Sequence, residues 1–348
     1  MKSASALRST DVSKTSSTSN TKPPAAMRPQ DSEPSAVCAS SGDHKPGHPS
    51  SRQGNLFRWK SCGEPLSLSI MAATVFEMEN VSVQRNGRKI LEGINLKVER
   101  DQHWVILGGN GSGKTSLLNV LMGYLTPTTG DVQLRGREDA VNSASQSWDD
   151  WRKRIGFVSS SISQLIEPAE TALEIVLSGR HAMVNYWQSG DDHPAEIRAA
   201  EKVLEKVNAS GLRDQPWATM SQGERQRVLI GRALMSQKME ILILDEPCAG
   251  LDPVARENFL QFVEELTQKG SFRSLLLVTH HVEEILPAIT HALVLRDGRI
   301  VAQGEKRRSL NSFSLSEAFG AELKLRSRLG RYRLYHGDEF IPEGGQVV

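Results

Sequence analysis

The run Gly108-Gly109-Asn110-Gly111-Ser112-Gly113-Lys114-Thr115 follows the spacing G-x-x-x-x-G-K-[ST]. Its glycines let the backbone curl tightly and turn N–H groups inward, towards an anion. A helix starting near Lys114 would aim its unpaired N–H groups and the positive end of its dipole at the same point. The loop is therefore suited to the phosphates of a nucleotide, which Gly108 to Ser116 would cradle. Lys114 is expected to reach the β- and γ-phosphates, and the Thr115 hydroxyl to ligate Mg2+. Further along, Ile241-Leu242-Ile243-Leu244-Asp245-Glu246-Pro247 is an apolar run that ends in two carboxylates. An acid at the carboxyl end of a parallel strand lies where open α/β sheets bind ligands. Asp245 is placed to hold Mg2+, directly or through water. Glu246 is placed to polarise a water for attack on the γ-phosphate.

These groups need a scaffold, and the sequence from Ala73 onwards supplies one. Residues 74–83 and 90–98 read as strands joined at Asn86-Gly87, a hairpin-turn signal. His103–Leu107 is a short buried strand that leads into the glycine loop, followed by a helix over Ser116–Leu125 and a strand over Asp131–Leu134. Residues 162–215 are mostly helical, Ala195–Val207 among them. A helix from Ser221 to about Met235 precedes the strand Ile241–Leu244. Then follow a helix Pro253–Gln268, a strand Ser274–Val278, a helix Val282–Ile289 and a last core strand His291–Leu295 with a turn at Asp297-Gly298. The expected fold is α/β, with a mostly parallel sheet, a helical lobe and a small antiparallel β layer.

The chain has 348 residues, 38% of them hydrophobic and 24% charged, as in a soluble globular protein. No apolar run approaches the ~18 residues of a membrane-spanning helix, so the chain is not expected to cross a membrane alone. A formal net charge of +1 argues against a strongly basic nucleic-acid binder. Cys38, Cys62 and Cys248 lack CxxC spacing, which excludes a disulfide framework and points to a reducing compartment. Residues 1–70 hold 16 serines, 7 of the 15 prolines and a net charge of +4, leaving −3 for the rest. Their sparse apolar residues show no period, so this segment is expected to be disordered. A native tail, a targeting peptide and an artefact of start-site choice before Met71 all fit.

Met220-Ser221-Gln222-Gly223-Glu224-Arg225-Gln226-Arg227 resembles the signature motif of the ATP-binding cassette (ABC) ATPases, L-S-G-G-Q. Ala249-Gly250-Leu251-Asp252 resembles that family's D-loop, and Thr279-His280-His281 its switch-histidine loop. With the phosphate loop and the acidic strand, five motifs stand in the family order across residues 73–305. The resemblance implies a P-loop ATPase and a division into a disordered tail (1–70), an ABC ATPase domain (71–305, helical lobe about 160–220) and a short C-terminal extension (306–348). It also implies a catalytic role for His280 beside Glu246 and Lys114. Two cassettes would pair head to tail, as a homodimer or with a paralogue. Each ATP would then lie between one phosphate loop and the Ser221 hydroxyl and Gly223 backbone of the partner. Separate membrane-spanning transporter subunits would dock on the helical lobe, placing the cassette at the cytoplasmic face of the cell membrane. The rival reading is a soluble ABC ATPase acting on nucleic acid or a ribosome; those often carry two cassettes or a coiled-coil insertion, which this chain lacks.

Several positions depart from the family pattern. Ser160 stands where the Q-loop glutamine is expected, which leaves water or Gln164 to couple the γ-phosphate to the lobe. Gln222 and Glu224 replace signature residues. With the short C-terminal extension, Ser160 and Gln222 bring the chain nearest to molybdate- or iron-associated cassettes. Arg85 falls near the place of the adenine-stacking aromatic, where a guanidinium can stack; a solvated arginine is the simpler reading. His281 reads as a surface neighbour, Cys248 as a packing residue, and Trp148, Trp151, Trp187 and Trp217 as packing. The run Lys324–Leu334, with five cations alternating with apolar residues, reads as a partly exposed edge structure. A membrane-surface or nucleic-acid patch is the other reading of that run.

Overall fold

Asn86 and Gly87 both take positive φ, 51° and 75°, as a tight hairpin turn requires. They join strand β1 (Thr74–Arg85) to β2 (Arg88–Glu99) in a computed structural model that describes residues 74–134, 148–181, 183, 185, 194–236, 239–337 and 346–347. The expectations for residues 1–70 and Trp187 lie outside these residues. All the described residues belong to one compact unit, Leu68–Val348.

The chain continues through β3 (His103–Gly108), α1 (Lys114–Leu121), β4 (Thr129–Leu134), α2 (Trp148–Arg152) and β5 (Ile155–Ser159). The helical lobe follows as α3 (Ser160–Ser163), α4 (Ala172–Ser178) and α5 (Pro194–Lys206), and α6 (Gln222–Leu234) leads back to the sheet. Next come β6 (Ile241–Asp245), α7 (Pro253–Gln268), β7 (Ser274–Thr279), β8 (His291–Arg296) and β9 (Arg299–Glu305). The chain closes with α8 (Lys306–Ser309), α9 (Ser312–Phe319), β10 (Leu323–Arg328), β11 (Arg331–His336) and β12 (Gln346–Val347).

The central sheet has six strands in the order β5-β6-β7-β3-β8-β9, parallel except for the β8–β9 pair. β2-β1-β4 forms the expected antiparallel layer, and β11-β10-β12 a second small sheet. The central strands are buried on both faces, so they read as unbroken apolar runs. Their period of two then sorts side chains between two cores. Val105, Leu107, Leu242 and Leu244 face the helical side, whereas Trp104, Ile106, Ile241 and Ile243 face α1 and the antiparallel layer.

Three expectations need correction. The helix placed over Ser116–Leu125 begins at Lys114 and ends at Leu121, because Gly123 turns to φ 72°. The buried Trp151 Nε1 donates to the Leu121 carbonyl at 2.8 Å, and Trp148 closes over Gly123 so tightly that a Cβ there would lie 2.3 Å from its ring. The helix expected over Val282–Ile289 is only a 3-10 turn, Val282–Glu284. Val282, Ile285, Leu286 and Ile289 are buried at helix-like spacing, but Pro287 lacks an N–H and disfavours helical backbone at Leu286. β8 is not the last core strand, since β9 pairs with it across the Asp297-Gly298 turn.

Residues 306–337 are not laid loosely on the surface. Leu310, Leu315 and Leu325 are fully buried and share a core with Leu244 and Leu277. The cationic run forms the β10–β11 hairpin, with Leu325 and Tyr332 turned inwards.

Candidate active site

β3, β7 and β6 are adjacent and parallel, so their carboxyl ends open onto one edge. Leu107 pairs with Thr279, and Asp245 with Val278. The phosphate loop, His280 and Glu246 therefore leave the sheet side by side, although they are far apart in sequence.

The loop is shaped by its glycines. Gly113 caps α1 at φ 107°, which an L side chain resists. At Gly108 any Cβ would sit 2.5 Å from both the Leu295 carbonyl and Ser112 Oγ. Gly298 N–H donates to the Ser112 carbonyl at 2.9 Å, which pins the loop to the β8–β9 turn. Ser112 Oγ is buried without a hydrogen-bond partner among the described residues. Lys114 is buried and folds back on its own loop, donating from Nζ to the Gly108 carbonyl at 2.9 Å and the Gly109 carbonyl at 3.1 Å. Burial lowers the Lys114 pKa, against the pull of Glu246 and Asp245. Thr115 is exposed on the first turn of α1, and Ser116 half-buried beside it.

Glu246 takes φ 47°, unusual for a long side chain. Its N–H donates to the Val278 carbonyl at 2.8 Å, which holds the backbone there. The same oxygen, Oε1, lies 3.1 Å from His280 Nδ1 and 3.8 Å from Lys114 Nζ. Burial, then the neighbouring charge of Glu246, push the Asp245 carboxyl up to about 6. His281 is exposed, with its ring 4.0 Å from that of His280. Cys248 is buried and its thiol pKa is raised by that burial, as suits a packing residue.

Ser221 caps α6. Its Oγ and N–H both donate to Glu224 Oε2 at 2.7 Å, while Glu224 N–H donates back to Oγ at 3.4 Å. This capping box gives Glu224 a local task at the signature. Ser221, Gly223, Glu224, Arg227, Gly250 and Asp252 line a cleft of about 460 Å³, so the signature and the D-loop face one space. Ser160 is exposed at the start of α3, which Ser159 caps, and Gln164 ends that turn, also exposed. Arg85 is exposed at the end of β1, opposite Arg88. Trp217 is buried under Arg225, whose guanidinium lies 5.1 Å from its ring.

A family model for ABC transporters matches residues 91–249. The uncharacterized ABC transporter ATP-binding protein YlmA of Bacillus subtilis is 41% identical over 245 residues, 70% of this chain and 90% of its own length. The chain belongs to the ABC transporter ATPases. The phosphonates import ATP-binding protein PhnC of Bordetella parapertussis is 33% identical, with 70% of this chain and 94% of that protein covered. Among solved structures, cbiO1 of Clostridium perfringens, part of the ABC transporter complex cbiONQ, superposes at a TM-score of 0.57. It is 26% identical, with 68% of this chain and 90% of that chain covered. The cassette is thus an ATP-binding subunit of the ABC transporter type, and an ATPase.

Sequence reasoning overlooked two parts of the site. Gly298 reads only as a turn residue, and nothing near it in the chain reveals that it seats the phosphate loop. Glu284 lies in a stretch that reads as an ordinary helix, yet it is buried and accepts from Thr279 Oγ1 at 2.5 Å, next to His280. An acid among apolar residues at 282–286 is the signal that could have singled it out.

Proposed function

We propose that the cassette binds MgATP at its phosphate loop, hydrolyses it with Glu246 and His280, and drives transport through membrane-spanning subunits that are separate chains. The observation that carries this reading is the meeting of Lys114 and His280 on one Glu246 oxygen, at 3.8 and 3.1 Å. Backbone N–H groups from Gly108 to Ser116, with the Ser112 hydroxyl, cradle the phosphates. Lys114 exchanges its loop carbonyls for the β- and γ-phosphates. Glu246 orients and polarises the attacking water, and His280 contacts the γ-phosphate from the next strand.

The residues fit Mg2+. Thr115 offers an exposed hydroxyl, and the strained ionisation of Asp245, raised to about 6, is relieved by a cation. Mg2+ held by Thr115 and Asp245 would offset charge on the β- and γ-phosphate oxygens.

One chain has one phosphate loop and one signature, so a two-fold pair of cassettes completes two sites. In that pair, Ser221 and the Gly223 backbone act on the partner's γ-phosphate. Among the described residues no helix is long and apolar enough to cross a membrane. Separate membrane subunits are proposed to dock on the helical lobe from the cytoplasmic face. A groove lined by Tyr124, Phe157, Ile162 and Arg232 supports that surface. For cargo, Ser160 and Gln222 favour a molybdate- or iron-associated system. Comparing molybdate and iron uptake in cells whose only copy carries Lys114→Ala tests that assignment.

The decisive experiment is size-exclusion chromatography of Glu246→Gln. With saturating MgATP it elutes as a dimer, and with ADP as a monomer; adding Ser221→Arg abolishes the dimer. A variant that stays monomeric with MgATP would sink the homodimer and require a paralogue.

A further inference from the structure

His280 is held by its neighbours in the chain. Thr279 is buried, and its Oγ1 accepts the His281 N–H at 3.1 Å while donating to Glu284 Oε2 at 2.5 Å. A hydroxyl has a single proton, so Thr279 spends its donor on Glu284. The backbone on both sides of His280 is thereby tied to one carboxylate across the Val282–Glu284 turn. The turn's own backbone bonds are few and long: Glu284 N–H to the His281 carbonyl at 3.3 Å and Ile285 N–H to the Val282 carbonyl at 3.2 Å.

Glu284 has only 3% of its surface exposed. Packing alone does not explain a carboxylate there, because an apolar side chain of similar size fills such a space at lower desolvation cost. Among the described residues its side chain has one hydrogen bond, the one from Thr279. The titratable and charged groups that face it are His281 and His280 from its own loop and Arg256 from α7. Cys248, at the entry to the D-loop, also feels its charge. β11 packs on the turn, and its Arg331 is held by Glu257 of α7 at 2.7 Å.

We propose that Glu284 is a positioning residue for ATP hydrolysis, fixing through the Thr279 hydroxyl the backbone that presents His280 to Glu246. The proposal rests on the reading of His280 and Glu246 given above. It assigns Glu284 no contact with ATP. What Glu284 supplies is an acceptor atom in a fixed place, so an amide oxygen serves and a methyl group does not.

The test compares Glu284→Gln, Glu284→Leu, Thr279→Val and the Leu/Val double variant in the full chain. Misplacing a catalytic group by a fraction of its reach lowers kcat without weakening ground-state binding. Glu284→Leu and Thr279→Val should therefore lose at least about tenfold in kcat while KM for ATP stays within about twofold. Their thermal stability should hold or rise, which separates positioning from folding. Glu284→Gln should keep most of the activity, and the double variant should be no worse than either single one. Wild-type kcat in a folded Glu284→Leu, or an equal loss in Glu284→Gln, would overturn the proposal. If His280→Ala retains full activity, it is the reading of His280 that fails. The His280 ring resonance in proton–carbon NMR spectra then decides for Glu284: a displaced signal in Glu284→Leu upholds the positioning, and an unchanged one refutes it.

Discussion

The Lys114 ammonium is satisfied within its own loop. Nζ donates to two loop carbonyls and lies 3.8 Å from Glu246. Phosphate binding is then an exchange of partners within a prebuilt cradle. The net gain comes from charge assistance, worth about 1.5–3 kcal/mol for such a contact. Lys114→Ala should weaken a fluorescent ATP analogue by about 10- to 150-fold, as that energy implies at room temperature, and leave the thermal melting curve near that of the parent chain. Unchanged affinity would remove Lys114 from the site. Residues of this kind are legible in a sequence because their chemistry is local: a loop, a helix start and an acid at a strand end each occupy consecutive positions. Glu284 is harder to read for the opposite reason, its one signal being an acid among apolar residues. Its task is defined by Thr279 and by burial, and a spacing rule sees neither.

At the scale of elements, the central strands could be read because burial on both faces leaves long apolar runs. The segment 282–289 could not, because apolar residues at helix-like spacing there line a turn stopped by Pro287. The lobe carries a further conflict. Burial, then Glu174 and Glu167, raise the Glu170 carboxyl from its ordinary 4.5 to about 7, against the opposing charge of Arg232. Arg232 is itself buried and donates to Ser178 Oγ at 3.2 Å and to the Met183 carbonyl at 2.5 Å. With its pKa raised in the fold, Glu170 binds a proton that the unfolded chain has released. Its contribution favours the fold at low pH and is lost as pH rises through that window. Glu170→Gln should therefore melt close to the parent at about pH 5 and above it at about pH 8. A gap that does not widen with pH would show that Glu170 ionises normally in the lobe.

At the scale of the whole molecule, the composition break near residue 70 and the buried C-terminal hairpin predict opposite responses to shortening. A chain that begins at Met71 should stay soluble and keep its ATPase rate. A chain that ends at Glu305 loses Leu310, Leu315 and Leu325, three fully buried side chains at about 2 kcal/mol or more each. That exceeds much of the net stability of a typical domain, about 5–15 kcal/mol, so this chain should fail to give a cooperative melt. ATPase activity retained in the second chain, or lost in the first, would reverse these assignments.

The late arrival of those three leucines has a consequence for biosynthesis. The motifs for nucleotide chemistry all lie before residue 282, and on that account the enzyme would be complete before α8 and α9 are made. The shared core delays that moment. The face of β8 that packs under α8 and α9 stays uncovered until those helices have been made, so a growing chain that has reached only β9 presents unfinished apolar surface.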